Sequence, residues 1–392
     1  MITLERYATL FREPGMKRVL LASVVGRIPI GVATLAILLS VQAHAGSFAR
    51  AGVAAACYVL GLAVVAPLLG RLIDKFGPGP VLATSAVAYP AALGVFVLLL
   101  QASAAPAAVA ACAAVAGAAL PPITIAMRAL FPRTLPDLTL LQTAYSVDSA
   151  LMEFVFIVGP ALVAGWVALG HADGAVLLAA LTAAVGTIVF LRCSAVRGWK
   201  RSVAITPRQR FGPLRLPALR AVLATTLLYS IGFGLFEVGV TAFAGWHGAL
   251  AAAGLILASA SLGSAAGAVW YGSRSWSPPL ARQYLLALVA MAAGILVLVP
   301  VQGIVSFAAL SVLSGVPMAT VIAVQSLLIA RITPRAMLAE SFTWGTTCLL
   351  GGISAGIAAG GVMAEFLPPN AVLATAAGAA GLAAIGAWVG VR

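Results

Sequence analysis

The sequence is poor in charge, in histidine and in cysteine. Only 8% of its 392 residues are Asp, Glu, Lys or Arg, whereas soluble domains carry about 25% charged residues. Because 62% of the residues are hydrophobic, we do not expect a water-soluble fold. The four cysteines lie far apart and form no paired spacing, so we interpret them as small apolar fillers.

Sequence signatures of enzymes are also missing. The chain has no GxxxxGK[ST] phosphate-binding loop, so we do not expect it to hydrolyse ATP. It has no HExxH metal motif, and its three histidines, His44, His171 and His247, are predicted in outer loops. We therefore expect no enzymatic activity, no catalytic residues, no metal and no cofactor.

Long apolar runs follow one another almost end to end. A helix of about 20 apolar residues crosses roughly 30 Å of hydrocarbon. The runs predict an all-α polytopic membrane protein with twelve transmembrane helices, at residues 19–40, 50–69, 81–101, 104–127, 140–167, 173–191, 218–243, 248–271, 281–300, 303–330, 338–363 and 371–390. Their connections are short, so we expect no soluble domain.

The basic residues follow the pattern of a membrane topology. A net charge of +13 would also suit nucleic acid, but 21 of the 23 basic residues fall in inner segments if the amino terminus is cytoplasmic. The exceptions are Arg27, inside the first helix, and Arg50, on the outer side. The positive-inside rule predicts both termini in the cytoplasm, in a bacterial inner membrane. The expected partners of the cations are anionic lipid headgroups and not nucleic acid.

The two halves of the chain resemble each other. An offset of 202 residues aligns five glycine pairs and one Pro-Arg pair: Gly46 with Gly248, Gly52 with Gly254, Gly61 with Gly263, Gly70 with Gly272, Gly159 with Gly361, and 132–133 with 334–335. Six helices separate the partners, so both halves have the same orientation in the membrane. We predict a six-helix bundle over 1–191, a basic cytoplasmic linker over 192–217, and a second six-helix bundle over 218–392.

A cluster of charge interrupts the apolar sequence between the second and third helices. The stretch GRLIDKFG, residues 70–77, places Arg71, Asp74 and Lys75 within five residues. An Asp at a helix boundary accepts hydrogen bonds from free amides of an adjacent helix, and flanking cations hold the segment at the headgroups. Such a cluster can latch two helix bundles in one arrangement and release them in another.

This cluster resembles the loop 2–3 signature of the major facilitator superfamily, G-x-L-[AI]-D-[RK]-x-G. The matching residues are Gly70, Leu72, Asp74, Lys75 and Gly77. With the twelve helices and the repeat, the resemblance covers nearly the whole chain. It implies two pseudo-symmetric six-helix bundles that rock about a substrate site near mid-membrane, with the motif acting as a cytoplasmic gate.

The motif departs from the family pattern at two places, and a segment of the fifth helix is similar to a second family signature. The family usually continues with one or two basic residues after the second glycine, where this chain has residues 78–80, Pro-Gly-Pro. The second copy of the motif has Trp276 in place of the aspartate. In the fifth helix, GPALVAG at 159–165 is similar to the Gly-Pro signature of the family's antiporters, which favours export.

Ionisable residues inside the predicted helices are functional candidates, because each is costly in lipid unless it is paired or hydrated. Arg27 and Asp148 each lie about eight residues from the cytoplasmic end of a helix, roughly 12 Å deep at 1.5 Å per residue. They can meet if the first and fifth helices are neighbours, as the resemblance implies. The pair would either hold the amino-terminal bundle together or break during transport.

The fifth helix carries a polar stripe, formed by Gln142, Ser146, Ser149 and Glu153. Their spacings of four, three and four place them on one side of a helix. We expect the stripe to face a water-filled cavity and Asp148 to face a neighbouring helix. Burial favours the neutral form of a carboxyl group, as a proton carrier requires. Glu153 is therefore predicted to couple protons or to bind substrate, and a structural, hydrogen-bonded glutamate is the alternative.

Four further charged residues complete the candidate site. Glu237, in the seventh helix, is predicted near the outer face as a gate or substrate residue, or as an interfacial glutamate. Arg128, Arg331 and Glu340 lie at inner helix ends. There they would anchor the helices at the headgroups or contact the segment that contains Asp74.

The preferred interpretation is a monomeric secondary active transporter that exports a small organic solute in exchange for protons. Uptake by symport or facilitated diffusion is the first alternative, and a transport-inactive sensor or scaffold on the same fold is the second. The acidic stripe would suit neutral or cationic amphipathic substrates, whereas Arg27 would suit an anion.

Overall fold

The structure, a computed structural model, describes residues 4–135, 137–199, 212–249 and 252–391. The described chain is almost entirely helical. In chain order its helices are α1 (Leu4–Arg12), α2 (Met16–Ala45), α3 (Phe48–Phe76), α4 (Pro78–Gln101), α5 (Pro106–Ala119), α6 (Ile123–Thr134), α7 (Leu138–Ala168), α8 (Ala172–Arg192), α9 (Ser194–Arg197), α10 (Pro217–Trp246), α11 (Ala252–Gly272), α12 (Leu280–Leu298), α13 (Ile304–Ile332), α14 (Leu338–Phe366) and α15 (Pro369–Gly390). Short 3-10 turns, Pro213–Arg215 and Arg335–Met337, precede α10 and α14.

Twelve helical segments of the described chain are long and apolar enough to cross a membrane. They are α2, α3, α4, the α5–α6 pair, α7, α8, and the six helices from α10 to α15. The predicted number of crossings is confirmed. Most predicted helix ends agree with the structure to within a few residues, because the apolar runs that define them are local features of the sequence.

Two prolines divide the fourth crossing. Pro121 and Pro122 separate α5 from α6, because proline lacks an amide hydrogen and disfavours the helical conformation in the residue before it. The predicted helix 104–127 is therefore two helices, and the second extends to Thr134.

The charged motif at 70–77 is mostly helical, which corrects the prediction of a loop. α3 continues through Asp74 and Lys75 to Phe76, because residues 71–76 contain neither glycine nor proline. Gly77 has a φ of 81°, a conformation that glycine adopts without strain, and it ends the helix. The motif therefore lies on the last two turns of α3 and in the turn that follows.

Packing contacts divide the described chain into two compact units. The amino-terminal unit contains the described residues of Phe11–Thr134 and Phe154–Ala204. The carboxyl-terminal unit contains those of Met1–Leu10, Leu135–Glu153 and Ile205–Arg392. The units follow the predicted halves except in the first ten residues and in the first part of α7. The predicted boundaries 1–191, 192–217 and 218–392 stay a prediction, and residues 200–211 lie outside the described chain.

In the amino-terminal unit, α3 and α5 touch through glycine. A Cβ atom on Gly117 would lie 1.9 Å from the carbonyl oxygen of Tyr58, and one on Gly61 would lie 2.0 Å from that of Ala114. No larger residue fits at such distances without movement of a backbone. The two helices therefore make the close backbone contact that small residues allow between membrane helices.

The carboxyl-terminal unit repeats this contact between α11 and α13, which we call the glycine seam. A Cβ atom on Gly315 would lie 1.9 Å from the oxygen of Ala260, and one on Gly263 would lie 1.8 Å from that of Val312. Gly263 follows Gly61 by the 202 residues of the sequence repeat, and Gly315 follows Gly117 by 198. The internal repeat is thus present in the packing as well as in the sequence.

Substitution in the glycine seam should destabilise the protein. We expect Gly315→Ala to lower the free energy of unfolding by about 1–3 kcal/mol, because the new methyl group meets a backbone oxygen that cannot move alone. Gly378→Ala is the control, since nothing lies within 4 Å of a Cβ atom at that position. Thermal unfolding of the purified variants in detergent measures the difference. Equal midpoints for the two variants would show that the seam is not closely packed.

Candidate functional site

The polar stripe of α7 lies in the carboxyl-terminal unit. Gln142, Ser146 and Ser149 are 6%, 0% and 3% exposed. The stripe's two ends, Gln142 and Glu153, both hydrogen-bond to residues of α11 or of the turn that follows it. The expectation that the stripe faces a water-filled cavity is therefore wrong for this structure. A neighbouring helix supplies polar partners to Gln142 and Glu153, whereas Ser146 donates to the carbonyl oxygen of Gln142 in its own helix at 2.9 Å.

At its first end, the stripe donates to the carbonyl groups that terminate α11. Gln142 Nε2 donates to the oxygens of Tyr271, at 2.9 Å, and Arg274, at 3.0 Å. Thr143 Oγ1 donates to the oxygen of Gly272 at 2.8 Å. The last carbonyl groups of a helix have no partner within that helix. α7 thus supplies donors to carbonyl groups at the end of α11 and in the turn that follows it, and we call this contact the polar seam.

Gly272 allows the two helices of the polar seam to approach. A Cβ atom there would lie 2.5 Å from Ser146 Cβ and 2.9 Å from the hydroxyl oxygen of Tyr7. Tyr7, on α1, donates to the carbonyl oxygen of Val269. Burial raises the pKa of Tyr7 to about 12, so its hydroxyl group remains a donor at physiological pH. Tyr7 and Thr143 were not predicted as site residues, and Gly272 was noticed only as a repeat partner of Gly70.

At its other end, the stripe contacts α11 through Glu153. Ser264 Oγ donates to Glu153 Oε1 at 2.8 Å, and the amide nitrogen of Ala319, on α13, donates to the same hydroxyl oxygen at 2.9 Å. Glu153 is the sixteenth residue of the 31-residue helix α7. The carboxyl group is therefore at the middle of a membrane-crossing helix and in a chain of hydrogen bonds through three helices.

Arg27 and Asp148 are both buried, with exposures of 1% and 0%. Arg27 belongs to α2 in the amino-terminal unit, and Asp148 to the part of α7 in the carboxyl-terminal unit. Their predicted pairing stays a prediction. The burial of each group inside a crossing helix is consistent with either of the roles proposed from the sequence.

The charged motif ends in a turn that the start of the linker covers. Asp74 is 3% exposed. A Cβ atom on Gly77 would lie 3.5 Å from the ring of Trp199, and the Arg133 guanidinium group lies 4.2 Å from the centre of that ring. Trp199 follows α9, in which Val196 is also buried. The first residues of the predicted linker therefore pack on the amino-terminal unit, a contact that the sequence did not reveal.

The remaining candidates lie at separate places. Gly70 is buried, Leu72 is half-buried and Lys75 is exposed. Glu237 lies on α10, half-buried, and nine residues before the end of that helix. Arg128 lies on α6, Arg331 is exposed at the end of α13, and Glu340 is 3% exposed in the first turn of α14. The gating, anchoring and substrate roles of these residues stay predictions.

Ser40, His44 and Asp173 join α2 to α8. Ser40 Oγ donates to Asp173 Oδ1, and His44 Nε2 lies 3.5 Å from Asp173 Oδ2. His44 was predicted in an outer loop, but the structure places it in the last turn of α2. Because the serine hydroxyl group bonds to the carboxylate and not to the imidazole, the three are not arranged for nucleophilic catalysis. Among the described residues, no group of three or more His, Cys, Asp or Glu could hold a metal ion.

Comparisons with known proteins identify relatives of this arrangement. The chain matches the model of the Major Facilitator Superfamily over residues 19–278. It is 28% identical over 278 residues to an uncharacterized MFS-type transporter, y4rN, of Sinorhizobium fredii, with 68% of each chain covered.

Solved structures share the fold at low sequence identity. A bacterial homologue of the iron transporter ferroportin, in an outward-facing state, superposes with a TM-score of 0.76 at 16% identity, over 95% of this chain and 98% of that chain. The E. coli fucose:proton symporter FucP superposes with a TM-score of 0.73 at 15% identity, over 96% of this chain and 99% of that chain.

Loss of the Gln142 amide should weaken the polar seam. We expect Gln142→Leu to lower the free energy of unfolding by about 1–3 kcal/mol, because the partly buried carbonyl group of Arg274 loses its donor and the carbonyl group of Tyr271 keeps only the donor on Trp276. Ser259→Ala is the control, since the Ser259 hydroxyl group is exposed and bonds only to Leu255 of its own helix. Thermal unfolding of both variants measures the difference. A Gln142→Leu midpoint no lower than that of Ser259→Ala would contradict the assignment of these hydrogen bonds.

Proposed function

The chain belongs to the major facilitator superfamily, and from this premise we propose that it exports a small organic solute in exchange for protons. Membership makes it a multi-pass membrane transporter of a solute and not an enzyme. The coupling to protons, the direction of transport and the location in a bacterial inner membrane are the parts that the proposal adds.

Proton coupling rests on one observation, the hydrogen-bonded carboxyl group of Glu153 in the middle of α7. An ionised carboxylate at this depth is costly unless it has partners, and the neutral acid is much less so. A group that changes charge at this position changes the stability of the helix contact around it. A proton-coupled transporter requires such a link, in which binding of a proton changes the stability of a contact between helices.

The polar seam supports alternating access. Its hydrogen bonds join side chains of α7 to carbonyl groups at the end of α11, where water can replace the side chains if the helices separate. The glycine seam differs, because its helices are held by close backbone packing that water cannot replace. We infer a rocker-switch cycle in which the polar seam opens while the glycine seam stays closed.

Export is supported by the GPALVAG segment of α7, which is similar to the signature of antiporters in this family. Its Gly159 also has a packing role, because a Cβ atom there would lie 2.6 Å from the carbonyl oxygen of Gly31.

Uptake by proton symport is the second candidate, since a protein of the same fold, FucP, is a fucose:proton symporter. Facilitated diffusion and a transport-inactive sensor or scaffold are further alternatives that the experiments below separate.

The proposal includes the arrangement of the chain in the membrane. Both termini are cytoplasmic, the inner basic residues bind anionic headgroups, and the protein acts as a monomer. Arg27, Asp148 and Glu237 are proposed to act in substrate binding or coupling, and the motif around Asp74 as the cytoplasmic gate. Arg128, Arg331 and Glu340 are proposed either to anchor helix ends at the headgroups or to take part in that gate.

A ligand screen is the first step in testing the function. Purified protein is screened by thermal shift against sugars, amino acids, organic acids and drugs, and each stabilising compound is tested for counterflow in liposomes. We expect at least one compound both to raise the unfolding temperature and to exchange across the liposome membrane. Compounds that stabilise the protein without any exchange would support the sensor or scaffold alternative.

Glu153→Gln should uncouple transport from protons. In inverted vesicles with an imposed pH gradient, we expect the variant to lose solute accumulation driven by the gradient but to retain exchange of the solute, because the amide cannot take up a proton. Glu365→Gln is the control, since Glu365 is exposed near the end of α14.

The outcomes of this experiment separate the alternatives. Gradient-driven accumulation that persists in Glu153→Gln would remove Glu153 from the mechanism. Transport by the unmodified protein that ignores the gradient would favour facilitated diffusion. Accumulation with the opposite dependence on the sign of the gradient would favour symport.

A further inference from the structure

Ser264 lies between the two other members of the hydrogen-bond chain that includes Glu153. Its hydroxyl oxygen accepts from the Ala319 amide at 2.9 Å, and its hydroxyl hydrogen is donated to Glu153 Oε1 at 2.8 Å. A serine hydroxyl group has a single hydrogen to donate. Because the amide of Ala319 can only donate and an ionised carboxylate can only accept, the serine hydrogen points at the carboxyl group as long as Glu153 is ionised.

The glycine seam holds Ser264 in place. Gly263 and Gly267, which flank it on α11, would each place a Cβ atom 1.8 Å from a carbonyl oxygen of α13, those of Val312 and Val316. Ser264 itself is 1% exposed. Its hydroxyl group is therefore fixed relative to the backbone of both α11 and α13, whereas Glu153 reaches it from α7.

Few other groups act on the Glu153 carboxyl group. The hydroxyl groups of Ser264 and Ser261, both on α11, hydrogen-bond to it, and no charged side chain of the described residues contributes. Ser261 lies one turn before Ser264, and the contact with α13 is made through Ser264. The electrostatic environment of the carboxyl group is thus set by neutral donors, of which one is anchored to a third helix.

We propose that Ser264 is the positioning residue for proton binding at Glu153, and that it makes the attachment of α7 to the α11–α13 pair depend on the charge of that carboxyl group. The inference rests on the proposed coupling role of Glu153. A hydrogen bond to an ionised carboxylate is about twice as strong as one to a neutral acid. Protonation of Glu153 therefore weakens its bond to Ser264 and loosens α7 from α11.

Pro317 places the third member of the chain next to an interruption in α13. Proline has no amide hydrogen and removes one hydrogen bond from its helix. Ala319 follows it by two residues, so the amide that bonds to Ser264 lies just beyond a weakened turn. A change in the charge of Glu153 is thus linked, through the hydrogen bonds of Ser264, to the turn of α13 that proline makes easier to bend.

Infrared difference spectroscopy of the protein in liposomes tests this inference without a known solute. The probe is the proton, and the signal is the carbonyl stretch of a carboxyl group that appears when the pH is lowered. Glu153→Gln identifies the band by its loss. In Ser264→Ala, we expect the band to move to higher frequency, because its carbonyl oxygen has lost a donor.

The pH dependence provides a second readout that a purely structural serine would not change. We expect the appearance of the band in Ser264→Ala to shift toward higher pH by about one unit, since the ionised form has lost a charge-assisted hydrogen bond. Ser264→Cys keeps the packing with a much weaker donor and should behave like the alanine variant. Ser259→Ala should leave both the frequency and the pH dependence unchanged.

The outcomes distinguish this inference from the proposed function. If Glu153→Gln removes the band but the alanine and cysteine variants of Ser264 leave its frequency and pH dependence unchanged, Ser264 has no positioning role, although Glu153 remains a proton site. If Glu153→Gln leaves the band intact, Glu153 does not bind the proton, and the proposed coupling and this inference are both overturned.

Discussion

The arrangement of the candidate site depends on the hydrogen bonds by which side chains of α7 satisfy the last carbonyl groups of α11. A backbone carbonyl group that is buried between helices without a partner is costly, because it cannot reach water while the helices are in contact. Gln142 and Thr143 supply that partner at the end of α11, and Gly272 lets them reach it. The same face of α7 ends in Glu153, so the contact that closes the polar seam also contains an ionisable group.

The carboxyl-terminal unit contains two kinds of helix contact, one of close backbone packing and one of side-chain hydrogen bonds. The glycine seam joins α11 to α13 through atoms that cannot separate without leaving a void, and an equivalent contact joins α3 to α5. The polar seam consists of a few directional bonds that water can replace. A transporter needs both, since rigid pairs of helices transmit a movement and replaceable bonds permit it. Ser264 belongs to both contacts, because it is fixed by the glycine seam and bonded to Glu153.

The sequence predicted the features that depend on local pattern, and missed those that depend on which helices meet. Apolar runs determine the crossings, and the offset of 202 residues located Gly263 as the equivalent of Gly61. The stripe of α7 was identified by its period, but its burial against α11 depends on tertiary packing that a period cannot specify. Thr143, Tyr7 and Trp199 were missed for the same reason, since each acts on a residue far away in the chain. The helical position of Asp74 was missed because the family signature was taken as a loop.

The central claim is that the polar seam opens and closes with the protonation of the protein. Double electron–electron resonance tests it most directly, with spin labels at Leu138, the exposed first residue of α7, and Ser275, exposed just after α11, in a background without the four free cysteines. We expect two populations of distance between the labels in liposomes, with the longer one favoured at about pH 5 and the shorter one at about pH 8. A single distance that is the same at both pH values would contradict it.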